Sequence, residues 1–96
     1  MFELTKEEFI DKALSFQFRN MTMSEPTIYA LARYVYDKCE TGCFLKFVLC
    51  NDLTGAVMSA DDHNIRNLPA YVAFLYNNAP SNCWGNFETV KQWLEG

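Results

Sequence analysis

Residues 39–53, "CETGCFLKFVLCNDL", decide the fold, because they place three cysteines, one glycine and a run of large apolar side chains in one short segment. Residues 43–51 predict a helix on which apolar side chains occupy nearly the whole circumference and Lys46 is the main contact with solvent. A helix that is apolar on all sides lies at the centre of a core. Gly42 is expected to end the preceding helix, since glycine accepts the left-handed conformation beyond a helix end.

Helix start signals precede this segment. Thr5 and Glu8 have the T-x-x-E spacing of a capping box, in which each side chain bonds the other residue's backbone N–H. Ser24 stands just before Pro26, and proline is well tolerated in the first turn of a helix. These signals predict a first helix within residues 1–20 and a second helix that begins near residue 24.

Similar signals follow the segment. "SADDHN" at residues 59–64 and Asn86 can cap further helices. The long helix predicted between them contains Pro69, so it either begins late with Asn67 as its cap or bends at the proline. No segment alternates apolar and polar residues with period two. The sequence therefore predicts an all-α fold, a compact bundle of about five short helices.

Composition and charge limit the function. Ninety-six residues, half of them hydrophobic and 16% aromatic, suit one domain spanning residues 1–96 and favour an apolar surface used for self-association or for a partner. The net charge is −4, and the eight basic residues are scattered rather than gathered in a stripe. Direct nucleic-acid binding needs such a stripe, so none is expected, and an acidic surface instead suits a basic protein partner.

The N-terminal segment bears on location. "MFELTKEEF" is acidic and lacks the apolar core of a signal peptide. No run approaches the roughly 18 apolar residues that a membrane span requires. We therefore expect a soluble, cytoplasmic protein without a membrane partner, in which cysteines are more often free thiols than disulfides.

The cysteines raise the question of a zinc site. Cys39, Cys43 and Cys50, closed by His63 or Cys83, have the residue types that structural zinc prefers. Their spacing matches no known zinc finger, and Cys39 falls on the apolar stripe of its predicted helix, where cysteine behaves as a small hydrophobic residue. Buried or half-buried free thiols are the favoured interpretation, with no metal and no cofactor, and zinc content remains the test.

Catalysis and base reading by a helix-turn-helix are both disfavoured. Cys43 falls in the first turn of a helix, which favours a thiolate, but the one histidine, His63, lies in a polar capping segment. No set of nucleophile, base and oxyanion donor is visible, so the chain is predicted not to be an enzyme. A recognition helix made of "CFLKFVLC" would offer one lysine and no polar side chain suited to base edges.

The most informative candidate is an interaction surface. Tyrosine, phenylalanine and arginine are common in the binding hot spots of protein interfaces. The predicted interaction surface consists of Tyr29, Arg33, Tyr36 and Glu40 on the second helix, and of Tyr71 and Phe74 on the long fourth helix. An acidic and polar surface is predicted at Asp61, Asp62 and Asn64. The open alternative is that a small bundle packs these aromatic residues against its first or last helix.

The chain resembles a group of small, mostly uncharacterised bacteriophage proteins. They share T-G-x-F-L-x-x-V-L-x-N-D-L, then A-D-x-x-N, a helix ending in Y-N-x-x-P, W-G and a terminal W-L. The matching residues are Thr41, Gly42, Phe44, Leu45, Val48, Leu49, Asn51, Asp52, Leu53, Ala60, Asp61, Asn64, Tyr76, Asn77, Pro80, Trp84, Gly85, Trp93 and Leu94. Residues 24–96 would form the family-like helical core, and residues 1–20 a variable N-terminal helix.

The resemblance implies a phage protein that acts in the host cytoplasm. Cys39 and Cys50 are not part of the shared pattern, which weakens the zinc interpretation further. The leading hypothesis is an anti-CRISPR-like counter-defence or host-takeover protein that binds and inhibits a host defence complex that handles nucleic acid. The alternative is a homo-oligomer that sequesters a signalling nucleotide, with Arg33 on phosphate and with Tyr29 and Tyr36 on the base. A third hypothesis is a phage accessory protein that regulates by dimerisation alone.

Overall fold

The computed structural model describes residues 4–96, and Met1 to Glu3, part of the predicted N-terminal helical segment, lie outside the described residues. Across residues 4–96 the chain forms seven helices and no strand, which confirms the all-α fold and raises the helix number above five. The helices are α1 (Lys6–Ser15), α2 (Glu25–Asp37), α3 (Cys43–Leu49), α4 (Leu53–Ser59), α5 (Asp62–Arg66), α6 (Leu68–Asn78) and α7 (Phe87–Glu95). The radius of gyration, 12.2 Å, is that of a compact bundle.

Helix α1 begins at the predicted capping box. The Glu8 backbone N–H donates to Thr5 Oγ1 over 3.1 Å, and the Thr5 N–H donates to Glu8 Oε1 over 2.8 Å. The Thr5 backbone N–H, and after it the Thr5 side chain, lower the pKa of the Glu8 carboxyl, because they stabilise its charged form. The helix buries Phe9 completely, and an ion pair of 2.6 Å between Lys6 and Asp37 joins its exposed edge to α2.

The corner between α2 and α3 differs from the prediction. Helix α2 ends at Asp37, and Lys38 rather than Gly42 takes the left-handed conformation, with φ of 58°. The N–H groups of Lys38 and Cys39 both donate to the Arg33 carbonyl, which closes the helix four residues earlier than expected. Gly42, with φ of −68°, instead precedes the first turn of α3. Cys39 therefore lies beyond the helix and is exposed, not part of an apolar stripe.

Helices α3 and α4 form a tight corner. Asp52 caps α4 by accepting a hydrogen bond of 2.9 Å from the Gly55 N–H. The aromatic ring of Phe47 lies directly over Gly55, where an added Cβ would stand 2.5 Å from the ring. Only glycine leaves room for this approach, so the lack of a side chain at residue 55 allows α4 to lie this close to α3.

The predicted long fourth helix is two helices. Asn67 ends α5 and precedes α6, and Pro69 lies in the first turn of α6, which confirms the late start at Asn67. The Asn67 side chain donates to the His63 carbonyl over 2.7 Å and accepts from the Thr22 N–H over 3.0 Å. The break between the helices is therefore held by hydrogen bonds to two different segments.

The core is built around the aromatic side chains of α6. The rings of Phe9 and Phe16 each pack edge-to-face against the Phe74 ring, with 5.3 Å between the ring centroids in both pairs. Phe44 of α3 makes a similar contact of 5.2 Å with Tyr71. Such contacts add stability to the burial of apolar area, so α6 is the helix on which α1 and α3 meet.

The C-terminal helix is attached to α2. Asn86 caps α7 as predicted, by accepting from the Thr89 N–H over 2.8 Å. Trp93 donates its indole N–H to the Tyr34 carbonyl over 3.0 Å. The buried Tyr34 hydroxyl in turn donates to the Cys83 carbonyl over 2.6 Å, which holds the loop before α7 against the same helix.

Candidate protein-interaction surface

The predicted surface on α2 is exposed only in part. Tyr29, Arg33 and Glu40 are exposed, as expected of contact residues, although Glu40 lies beyond the end of the helix. Tyr36 is half-buried, donates its hydroxyl to the Leu4 carbonyl over 2.8 Å and packs its ring against Phe9. Burial, and then the neighbouring Glu8 carboxylate, raise the pKa of Tyr36 to about 12. Tyr36 therefore belongs mainly to the junction of α1 and α2.

The prediction that Tyr71 and Phe74 lie on the surface is wrong. Both are core residues, with 1% and 0% of their area exposed. On one continuous helix Phe74 would lie opposite Ile65, which would place it on the surface. Because the chain breaks at Asn67, Ile65 belongs to α5 and says nothing about the face of α6.

The acidic and polar surface also loses one of its predicted residues. Asp61 and Asp62 are exposed, and Asp61 caps α5 by accepting from the Asn64 N–H over 2.8 Å. Asn64 is buried, and its side-chain oxygen accepts the Tyr71 hydroxyl over 2.6 Å. The same hydroxyl accepts the Ser24 N–H over 3.0 Å. Asn64 is therefore part of a buried polar link between α5, α6 and the start of α2.

The exposed face of α6 forms an apolar groove that the sequence analysis missed. Tyr76 is 80% exposed, Val72 is 43% exposed, and Pro69 completes the line at helical spacing. This surface, called the α6 groove, has a volume of about 510 Å³ and no charged side chain in its walls. Its lining residues are Phe18, Leu53, Leu68, Pro69, Val72, Ala73, Tyr76 and Asn77.

Two local structures supply the walls of the α6 groove. Phe18 is held by a tight turn in which its N–H and carbonyl bond those of Met21 over 3.0 and 2.8 Å. Leu53, 69% exposed, is the first residue of α4 and is held by the Asp52 cap and the contact between Phe47 and Gly55. The groove therefore combines three separate segments of the chain, which are brought together only by folding.

The four thiols do not converge. Cys39 and Cys43 are exposed, Cys50 is half-buried and Cys83 is buried, so the prediction of burial is confirmed for Cys50 and Cys83 and wrong for Cys39 and Cys43. Burial raises the pKa of the Cys83 thiol to about 12 and is also the main cause of the raised pKa of Cys50. Both shifts oppose formation of a nucleophilic thiolate. Among residues 4–96, no three His, Cys, Asp or Glu side chains are placed to hold a metal ion together.

Comparisons of the chain with protein families, with curated proteins and with solved structures find no match. None of the helices between residues 4 and 96 is long and apolar enough to cross a bilayer.

Proposed function

We propose that this chain is a non-enzymatic bacteriophage protein that binds and inhibits a host defence complex that handles nucleic acid. It acts in the host cytoplasm, as an anti-CRISPR-like protein would, and its contact surface is centred on the α6 groove. The resemblance to small phage proteins at Thr41–Leu53 and Tyr76–Pro80 suggests the origin. The surface chemistry suggests the mode of action.

The exposure of Tyr76, Val72 and Leu53 is the observation that carries the proposal. Exposed apolar grooves rimmed by polar residues commonly mark the binding sites of partners. Tyrosine is also one of the residues that contribute most to binding energy in interfaces. A groove that contains a tyrosine and no charged side chain is suited to receive an apolar ridge from another protein.

Charge supports a partner that itself binds nucleic acid. The net charge of −4 favours encounter with a basic surface, since opposite potentials increase the rate of association. The apolar groove would then supply the affinity, because desolvated apolar area and anchor residues determine how slowly a complex dissociates. Glu40, Asp61 and Asp62 are the exposed carboxylates of the predicted surfaces that would take part in this attraction.

The oligomeric sponge remains a second candidate, with less support. Its clamp needed Tyr29, Tyr36 and Arg33 to be available to one ligand. The Tyr36 hydroxyl and ring are already engaged with Leu4 and Phe9, which leaves one exposed aromatic side chain and one guanidinium. Self-association through the α6 groove would be detected as a dimer in solution, without a host protein bound.

The test is phage plating on a bacterial strain whose nucleic-acid-targeting defence restricts that phage. The strain expresses the wild-type protein, Tyr76→Ser or the matched control Met58→Ser. Met58 is 79% exposed, almost as much as Tyr76, but does not line the α6 groove. We expect the wild type and the control to restore plating and Tyr76→Ser to fail at equal protein levels.

Two results would count against the proposal. Plating that stays unchanged on every defended strain, without any co-purified host protein, would refute the counter-defence function. Full restoration by Tyr76→Ser, with loss of restoration in a Tyr29→Ser and Arg33→Ser double variant, would move the contact surface to α2.

A further inference from the structure

Three lysines line one cleft of this acidic protein. Lys38, Lys46 and Lys91 line a cleft of about 400 Å³ between the end of α2, α3 and α7. Lys46 and Phe87 also line a neighbouring cleft of about 660 Å³ beside α3. Lys46 and Phe87 therefore stand at both clefts, which together are called the lysine cleft below.

The charges of these lysines are not neutralised by an ion pair. Among residues 4–96, the one ion pair joins Lys6 and Asp37, and none involves a lysine of the cleft. The Lys38 ammonium lies 3.3 Å from the centre of the Trp93 ring, a cation–π contact that holds it in place without cancelling its charge. Three carboxylates also line the lysine cleft, Glu40 and Glu95 in the smaller part and Asp52 in the larger, but none of them forms a salt bridge with the lysines. An anion bound among the three ammonium groups would be stabilised.

The lysine cleft also offers an aromatic surface and enough room for more than a small ion. Phe87 is 57% exposed and lines both clefts, and Phe47 forms part of the wall of the larger one. Pockets of about 300–1,000 Å³ are typical of sites for small organic ligands, and inorganic phosphate fills far less. Asn51, an exposed residue, also lines the larger cleft.

The geometry points to a nucleotide-binding site in the lysine cleft. The phosphate lies among Lys38, Lys46 and Lys91, and the base stacks on the exposed face of Phe87. The Asn51 amide, a donor and an acceptor together, contacts the edge of the base. This site differs from the predicted clamp at Arg33. Leu53 lines both the larger cleft and the α6 groove, but none of the residues assigned to the nucleotide lines that groove, so the site can be tested independently of the proposed host partner.

Isothermal titration calorimetry on the full chain tests this inference, with the four ribonucleoside monophosphates, inorganic phosphate and adenosine as probes. We expect at least one nucleoside monophosphate to bind about tenfold more tightly than phosphate, since stacking on an aromatic side chain adds to the affinity. We also expect binding to weaken as salt increases from 50 to 200 mM, roughly in proportion to the lysine contacts made. Adenosine, which lacks the phosphate, should bind weakly or not at all.

Variants connect the binding to the lysine cleft. Lys46→Gln should weaken binding about tenfold, the usual loss for a charge-assisted hydrogen bond. Phe87→Ala should weaken binding by a similar factor, and Phe87→Leu keeps apolar volume if the alanine variant is unstable. The matched control is Lys12→Gln on α1, which removes one exposed lysine that lies outside the cleft and should leave the affinity unchanged.

Three outcomes would overturn the inference. The first is no binding of any nucleotide at millimolar concentration. The second is equal affinity for phosphate and every nucleotide, which would leave a simple anion site. The third is equal loss of affinity in Lys46→Gln and Lys12→Gln, which would show that the loss comes from the change in net charge and not from a contact in the cleft. None of these outcomes bears on plating by the Tyr76→Ser variant, so failure of this site and failure of the proposed function remain distinguishable.

Discussion

The two faces of α6 have similar compositions and opposite environments. The inner face carries Tyr71 and Phe74, fully buried and in contact with aromatic rings from α1 and α3. The outer face carries Val72 and Tyr76, which project from the same helix into the α6 groove. Burial on one face stabilises the fold, whereas an apolar face left in water is stabilised only when a partner covers it. The two faces should therefore respond differently to the same kind of substitution.

The largest expected effect is loss of stability on the inner face. Phe74→Ala should lower the free energy of unfolding by about 3–5 kcal/mol, because it removes a buried ring and leaves a cavity between α1 and α6. Urea unfolding followed by circular dichroism measures the change. Tyr76→Ala is the control on the outer face, and an equal loss in both variants would contradict the difference between the faces.

The next effect concerns the corner that positions Leu53 in the groove wall. Gly55→Ala places a methyl group 2.5 Å from the Phe47 ring, so α4 must shift or the ring must rotate. We expect a loss of about 1–3 kcal/mol, as for other overpacked positions. The control is Gly42→Ser, since a side chain there meets nothing within 4 Å and serine caps helices well. Thermal unfolding that leaves Gly55→Ala at the wild-type midpoint would show that the corner is loose.

A smaller loss is expected from the polar link on the inner face. Tyr71→Phe removes the hydroxyl that donates to Asn64 and accepts from the Ser24 N–H. The buried Asn64 amide oxygen then lacks that partner, and we expect a loss of about 1–2 kcal/mol. Chemical unfolding measures this change, and an Asn64→Leu, Tyr71→Phe double variant should recover part of it. No recovery would mean that the hydroxyl acts mainly through Ser24.

The smallest stability effect is expected on the outer face. Tyr76→Ser and Val72→Ser should each change the free energy of unfolding by about 0.5 kcal/mol or less, since exposed side chains contribute little to the folded state. Differential scanning calorimetry can check both variants. A loss above about 2 kcal/mol would show that these residues support the fold. The outer face would then not be a surface that is free to bind a partner.

The sequence predicts where helices begin better than it predicts which face of a helix is buried. The capping box at Thr5 and the Asn86 cap are correct, because each depends on residues three positions apart. The corner at Gly42 was misread because Lys38 adopts the left-handed conformation and lies over Trp93, a residue that is distant in sequence. Local patterns therefore locate helices without showing what covers them.

The candidate surfaces depend on tertiary structure in the same way. On a helix that is apolar almost all round, periodicity could not tell Tyr71 from Tyr76, and the break at Asn67 separates Ile65 from α6. The α6 groove also needs Phe18 and Leu53, which come from a turn and from the start of α4. The lysine cleft is similar, because its three lysines belong to three segments that meet only after folding. Sequence spacing carries no signal for either surface.

The most direct test of the central claim separates binding from stability at one residue of the outer face. Affinity purification from the bacterial host, with quantitative mass spectrometry, compares wild-type protein, Tyr76→Ser and Met58→Ser after all three show the same unfolding midpoint. The account predicts that the wild type and Met58→Ser retain the same nucleic-acid-handling host complex, and that Tyr76→Ser retains it at least about tenfold less, as expected for a hot-spot residue. Equal retention of that complex by all three proteins, or retention of no host complex by the wild type, would contradict the account.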